Sequence, residues 1–188
     1  MMEAFKAHLE QVINISDDEF ESILSFFSTK TFEKHTYLIK IGEPAPYEYF
    51  LLRGLVKAYQ TDRSGRQYIV HFGLEGWWIL EIEAFQRGTN ATLDVECLED
   101  TVVLYISATD KERLCLSIPK MEHFFRVKSG WAHAALQERM LMDMNASTIE
   151  RYDALIRQDP SLYHRVSQNL LASYLGVTSE TLSRLTST

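Results

Sequence analysis

From Thr31 to about Ile106 the hydrophobic pattern repeats every two residues, and turn signals interrupt it at short intervals with no long helix between them. The turn signals are Gly42-Glu43-Pro44, Arg53-Gly54, Asp62-Arg63-Ser64-Gly65, Glu75-Gly76 and Arg87-Gly88. In Tyr68-Ile69-Val70-His71-Phe72 and in Leu93-Asp94-Val95-Glu96-Cys97, alternate side chains go to opposite faces, as a half-buried antiparallel strand requires. Short strands at such spacing fold as a sandwich or barrel. The expected centre of the protein is therefore an antiparallel β-roll.

Helical patterns flank it. Ser16 and Glu19 have the spacing of a capping box, Ile15 and Phe20 that of a hydrophobic staple, and Phe20, Ile23, Leu24 and Phe27 form the stripe that follows. From Pro119 a helical pattern continues to the Asp159-Pro160 break. A rod of that length, at about 1.5 Å per residue, outruns the domain it would cover and needs a partner surface. Steps of three and four give the seam Met121, Phe124, Lys128, Trp131, Ala135, Glu138, Met142, Asn145, Ile149, Tyr152 and Ile156, the pattern of a helix pairing with another helix. Homodimerisation is the expectation; the alternative is a helix lying on its own β-domain. The fold class is α+β: a β-roll over residues 1–118, a dimerisation helix over 119–158 and a helix-turn-helix over 159–188.

The last segment is the most specific. Leu171 and Leu175 give a first helix its buried side, Ala172 allows close approach, and Gly176 supplies the positive φ that ends the helix. Val177 fills the corner, Thr178 caps a second helix, and Leu182 returns to the shared core. This is helix-turn-helix spacing, in which the start of the second helix enters the DNA major groove. Ser179, Glu180, Ser183 and Arg184 are the expected exposed positions, Arg184 suiting guanine and Glu180 the amino group of cytosine. Gln168 and Asn169 suit phosphates, as positioning contacts. A plain helical hairpin would need similar apolar spacing.

Charge complicates that reading. The chain of 188 residues carries a net −7, unlike a typical nucleic-acid binder, yet residues 151–188 sum to +1 and the acid lies elsewhere. Cys97 and Cys115 are too few for a disulfide framework or a four-thiolate cluster and read as buried small hydrophobes. No apolar run approaches the roughly 18 residues of a membrane span, and the start Met1-Met2-Glu3-Ala4-Phe5-Lys6 lacks a leader pattern, so a cytoplasmic location is expected. The six histidines never form His-x-His or His-Glu-x-x-His, and neither a phosphate loop nor a Gly-x-Ser-x-Gly elbow occurs. No metal and no enzymatic activity are expected.

The run Leu171-Ala172-Ser173-Tyr174-Leu175-Gly176-Val177-Thr178-Ser179-Glu180-Thr181-Leu182-Ser183-Arg184 resembles the recognition segment of Crp/Fnr-type bacterial transcription regulators. The order of β-roll, long helix and helix-turn-helix extends the resemblance over essentially the whole chain. It implies a homodimer with two second helices in successive major grooves of double-stranded DNA, roughly 34–36 Å apart. Further partners it allows are RNA polymerase and an unidentified small-molecule effector; a membrane is not among them. The family usually continues with basic residues and often a β-hairpin wing, whereas Leu185-Thr186-Ser187-Thr188 carries no charge. Few neutralised phosphates and a shallow salt dependence are expected.

The resemblance also marks an effector region. Members that bind cyclic AMP carry a Gly-Glu-Leu helix and then an Arg-Ser or Arg-Thr pair. Here the stretch Gly76 to Thr92 corresponds: Glu81 matches the carboxylate that holds ribose, Leu80 replaces the glycine, and Ala91 stands where the arginine belongs. Glu81, Arg87, Thr89, Asn90, Ala91 and Thr92 are thus the candidate ligand contacts. Without a guanidinium at Ala91 the cyclic phosphate loses its bidentate partner, so cyclic AMP is not the expected ligand. Arg87 either substitutes or is an exposed turn residue; Trp77 and Trp78 either face a planar ligand or belong to the core.

Overall fold

The computed structural model describes residues 1–186. Two helices lead, α1 (Met2–Glu10) and α2 (Asp17–Leu24), followed by strands β1 (Ser28–Phe32), β2 (Tyr37–Ile39), β3 (Tyr47–Arg53), β4 (Val56–Thr61), β5 (Gln67–Gly73) and β6 (Trp78–Ile79). Next come α3 (Ile82–Arg87), β7 (Asp94–Cys97), β8 (Thr101–Ser107) and α4 (Ala108–Ser117). Five helices complete the chain: α5 (Pro119–Asn145), α6 (Thr148–Gln158), α7 (Leu162–Arg165), α8 (Gln168–Leu175) and α9 (Ser179–Thr186). Two compact units result, one of residues 1–60 and 71–128, the other of 61–70 and 129 onward.

The first unit is the β-roll. Its sheets run β1-β8-β3-β6 and β2-β7-β4-β5, with antiparallel pairs such as Tyr49 opposite Tyr105 and Ala58 opposite Val95. Period-two alternation sorts β3 between two cores. Phe50 and Leu52 join Leu104 and Ile106 of β8 against Phe5, Leu9, Ile23, Leu114, Met121 and Phe124 of the helices. Tyr49 and Leu51 join Val103 and meet Val56, Ala58, Val95 and Cys97 of the second sheet. At β3 and β8 the first sheet is thus a middle layer buried on both faces. Each large apolar side chain so buried contributes about 1.5–3 kcal/mol.

The capping box at Ser16 forms as its spacing requires, with Ser16 Oγ accepting from Glu19 N and Glu19 Oε2 accepting from Ser16 N at 2.9 Å. Ahead of it lies α1, which the sequence reading lacked. Ser16 through Phe27 carries a cap and a stripe, while α1 has no side-chain cap bond and is held by Phe5 and Leu9 in the core. Trp78 adds a bond to it, with Nε1 donating to His8 Nε2 at 3.0 Å.

The expected rod over 119–158 is two helices. The α5 ladder closes at Ala146, whose amide donates to Met142 O. Ser147 then takes an extended backbone, φ −67° and ψ 163°, and starts α6 with a second capping box: Ser147 N donates to Glu150 Oε2 at 2.8 Å. Cap chemistry at Ser147 overrides the apolar period that runs through it. The seam divides as well. Met121 and Phe124 are fully buried in the first unit's own core, and Lys128 donates to Gln11 Oε1 at 3.0 Å. Farther along α5, Trp131, Leu136, Met140, Leu141 and Met144 are each more than half exposed.

In the second unit α6 to α9 gather around Leu162, Val166, Leu171, Ala172, Leu175 and Leu182. The hairpin tip over 61–70 also belongs to it, pinned by Asp62, whose carboxylate accepts from the amides of Ser64 and Arg66. No helix among the described residues is long and apolar enough to cross a membrane.

Candidate nucleic-acid interface and effector region

Helix α8 begins at Ser167, whose Oγ accepts from Leu170 N, and ends at Gly176 with φ 74° and ψ 19°. The amide of Gly176 donates to Ser173 O and that of Val177 to Ala172 O at 3.0 Å, the paired closure that a left-handed residue makes possible. Thr178 Oγ1 accepts from Thr181 N at 3.2 Å and opens α9. Leu182 is fully buried. With that side fixed inward, Glu180, Ser183 and Arg184 fall three and four residues apart on the exposed side of α9.

Gln168, Asn169 and Thr178 are exposed as well. Ser179 is the exception among the expected exposed positions: it is half-buried, and its hydroxyl donates to Asn169 Oδ1 at 2.5 Å. The bond joins the first turns of the two helices and engages groups that had been assigned separately to bases and phosphates. Ser187 and Thr188, part of the uncharged end, lie outside the described residues.

Neighbouring groups hold α8 in place. Arg139 of α5 lies over the Tyr174 ring at 4.5 Å, and Asp143 takes Arg139 Nε at 3.7 Å and Arg151 Nη1 at 3.2 Å. Burial pushes the Tyr174 phenol above its ordinary value, so it stays neutral. Ser173 Oγ donates to Gln67 O of the hairpin at 2.5 Å. These contacts were not foreseen; only the i,i+4 spacing of Arg139 and Asp143 was visible in the sequence.

In the effector region Glu81 is a cap. One carboxylate oxygen accepts from Ala84 N at 2.7 Å and starts α3, and the other accepts from the Thr92 hydroxyl at 3.3 Å. Ala91 is buried, its backbone bonded to the 42–43 turn through Gly42 N and Glu43 O. Thr89, Asn90 and Thr92 are exposed. Arg87 is exposed too, and pairs with Glu83 one turn back at 3.2 Å. Trp78 packs its ring against Phe50 and Phe125 and is a core residue, while Trp77 packs against the inter-sheet core. The stretch therefore joins Glu81 to Thr92 and turns Arg87 to a different carboxylate.

Residues 29–117 match the family model described as the cyclic nucleotide-binding domain. The transcriptional regulatory protein btr of Bordetella pertussis is 26% identical to this chain, across 81% of it and 67% of the relative. Among solved structures, FixK2 from Bradyrhizobium japonicum superposes with a TM-score of 0.70 at 22% identity, covering 86% of this chain and 83% of that one. The c-di-GMP responsive global regulator CLP of Xanthomonas campestris gives 0.70 at 15% identity, covering 92% and 90%. Over a cyclic nucleotide-binding domain at residues 29–117, and in fold, the chain is thus similar to transcription regulators of the Crp/Fnr type.

Proposed function

We propose that the protein is a cytoplasmic homodimer that reads a near-palindromic site on double-stranded DNA with α9, using residues 1–118 as sensor, 119–158 for dimerisation and 159–188 as reading head. The observation that carries the reading is the exposed row of Glu180, Ser183 and Arg184 on a helix whose opposite side is locked by Leu182. Arg184 carries the fork that suits guanine, Glu180 an acceptor that suits the cytosine amino group, and the exposed Gln168 and Thr178 donors that suit phosphate oxygens. The exposed apolar side chains of α5 support pairing, since a helix apolar on several sides is normally covered. RNA polymerase is the natural partner of such a dimer on DNA.

On this reading the effector region does not take cyclic AMP. Ala91 offers no guanidinium and the Glu81 carboxylate is occupied within the protein. A footprint or gel-shift with genomic fragments tests the main proposal: sequence-selective retention lost in Arg184→Ala is expected. Absence of retention at low salt would favour a sensor module without DNA binding, a reading that the net charge of −7 supports.

A further inference from the structure

Helices α6, α7, α8 and α9 leave between them a groove of about 720 Å³, within the roughly 300–1,000 Å³ typical of small-molecule sites. Ile149, Leu171, Leu182 and Leu185 line it with apolar groups, Tyr152 and Tyr163 with aromatic ones, and Asp153 is its acidic group. None of the described residues lining it is a lysine, arginine or histidine. Asp153 forms no ion pair among the described residues; the nearby Arg157 turns Nε to the Asp153 backbone carbonyl instead, at 3.2 Å. We propose that this groove binds a planar aromatic cation, with the flat ring on the apolar lining, the tyrosine rings beside it and the positive charge at Asp153.

Charge selects the class of ligand. Two tyrosine rings among the lining residues offer negative quadrupole and a carboxylate adds a full charge, so a cation gains where an anion is repelled. Burial together with Tyr163 and Asp153 raises the Tyr152 pKa, which keeps that phenol neutral and able to donate. A ligand here lies against Gln168 of α8 and Leu185 of α9 at once, and so bears on the angle between the two helices.

The test uses proflavine, a cation at neutral pH, titrated into the full chain without DNA and followed by fluorescence anisotropy. Acridine, the same ring system without the charge at that pH, is the comparison. Saturable one-to-one binding of proflavine is expected, weaker by roughly tenfold for acridine and for Asp153→Asn, the size of one partly exposed charge contact. Ile149→Trp, which fills the groove, should abolish it, and Arg184→Ala should leave it unchanged. Absence of saturable proflavine binding, equal binding of acridine, or unchanged affinity in Asp153→Asn would overturn the proposal. If Ile149→Trp fails to fold, the exposed Asp153→Asn variant decides, its fold checked by circular dichroism.

Discussion

Arg139 of α5 stacks over Tyr174 of α8 at 4.5 Å, so a residue of the long helix grips α8. The grip is by ring face, and Asp143 holds the guanidinium from the side. Removing the guanidinium should matter more than removing the phenol oxygen. Arg139→Ala is expected to cost about 1 kcal/mol, read in urea denaturation, and Tyr174→Phe only a fraction of that.

Glu81 makes a sharper case. Its carboxylate caps α3 and receives the Thr92 hydroxyl, so Glu81→Ala should destabilise the fold by about 1–2 kcal/mol. Glu81→Gln keeps one acceptor oxygen and should fall between. Denaturant midpoints of the three proteins check the order; a ranking with Gln below Ala would contradict the capping role.

The backbone at Gly54 leaves no space for a side chain. With φ at +112°, an added Cβ would come within 2.4 Å of Thr101 Oγ1 and 2.8 Å of Thr101 Cα. Strain and collision together should make Gly54→Ala cost roughly 3 kcal/mol, visible as a large drop in melting temperature. Gly42, where a Cβ meets nothing within 4 Å, is the control, with strain alone.

His8 gives a pH dependence with a definite sign. Burial, with help from the Lys128 charge, lowers its pKa from 6.5 to about 4, so the folded protein holds it neutral while the unfolded chain protonates it near 6.5. Its contribution is complete above pH 6.5 and is lost as pH falls from there towards 4. His8→Gln keeps an acceptor for Trp78 Nε1 and removes the titration. The decline in melting temperature between pH 7 and 5 should be shallower in that variant.

Pairing through α5 is tested on its exposed apolar side. Leu136→Glu and Met140→Glu, alone or together, are expected to shift the protein from dimer to monomer in sedimentation velocity at micromolar concentration. Melting of the first unit should change little.

What the sequence disclosed follows from range. Ser16, Gly176, Thr178 and the alternation of β5 and β7 depend on residues within five positions of one another, and each was legible. Helix α1 was not, because Phe5 and Leu9 earn their place only against Phe50 and Phe124, far along the chain. The division of the 119–158 pattern was written in Ser147 and Glu150, a capping box like that at Ser16, but the apolar period running through it obscured the signal. In the candidate sites the residues of the Gly76 to Thr92 stretch were legible one by one, whereas the bonds of Glu81 to Thr92 and Ser179 to Asn169 span ten or more residues and depend on the fold.

Ser147 makes the helical stem of α5 and α6 a jointed arm. Each helix on either side of it closes its own hydrogen bonds, so the bend between them can change without breaking a ladder, and its resistance comes from Asp143 reaching across to Arg151. If the proposed dimer on DNA is formed, such a joint would let it accept half-sites at more than one separation, and stiffening it by Ser147→Ala, which favours one continuous helix, would narrow the set.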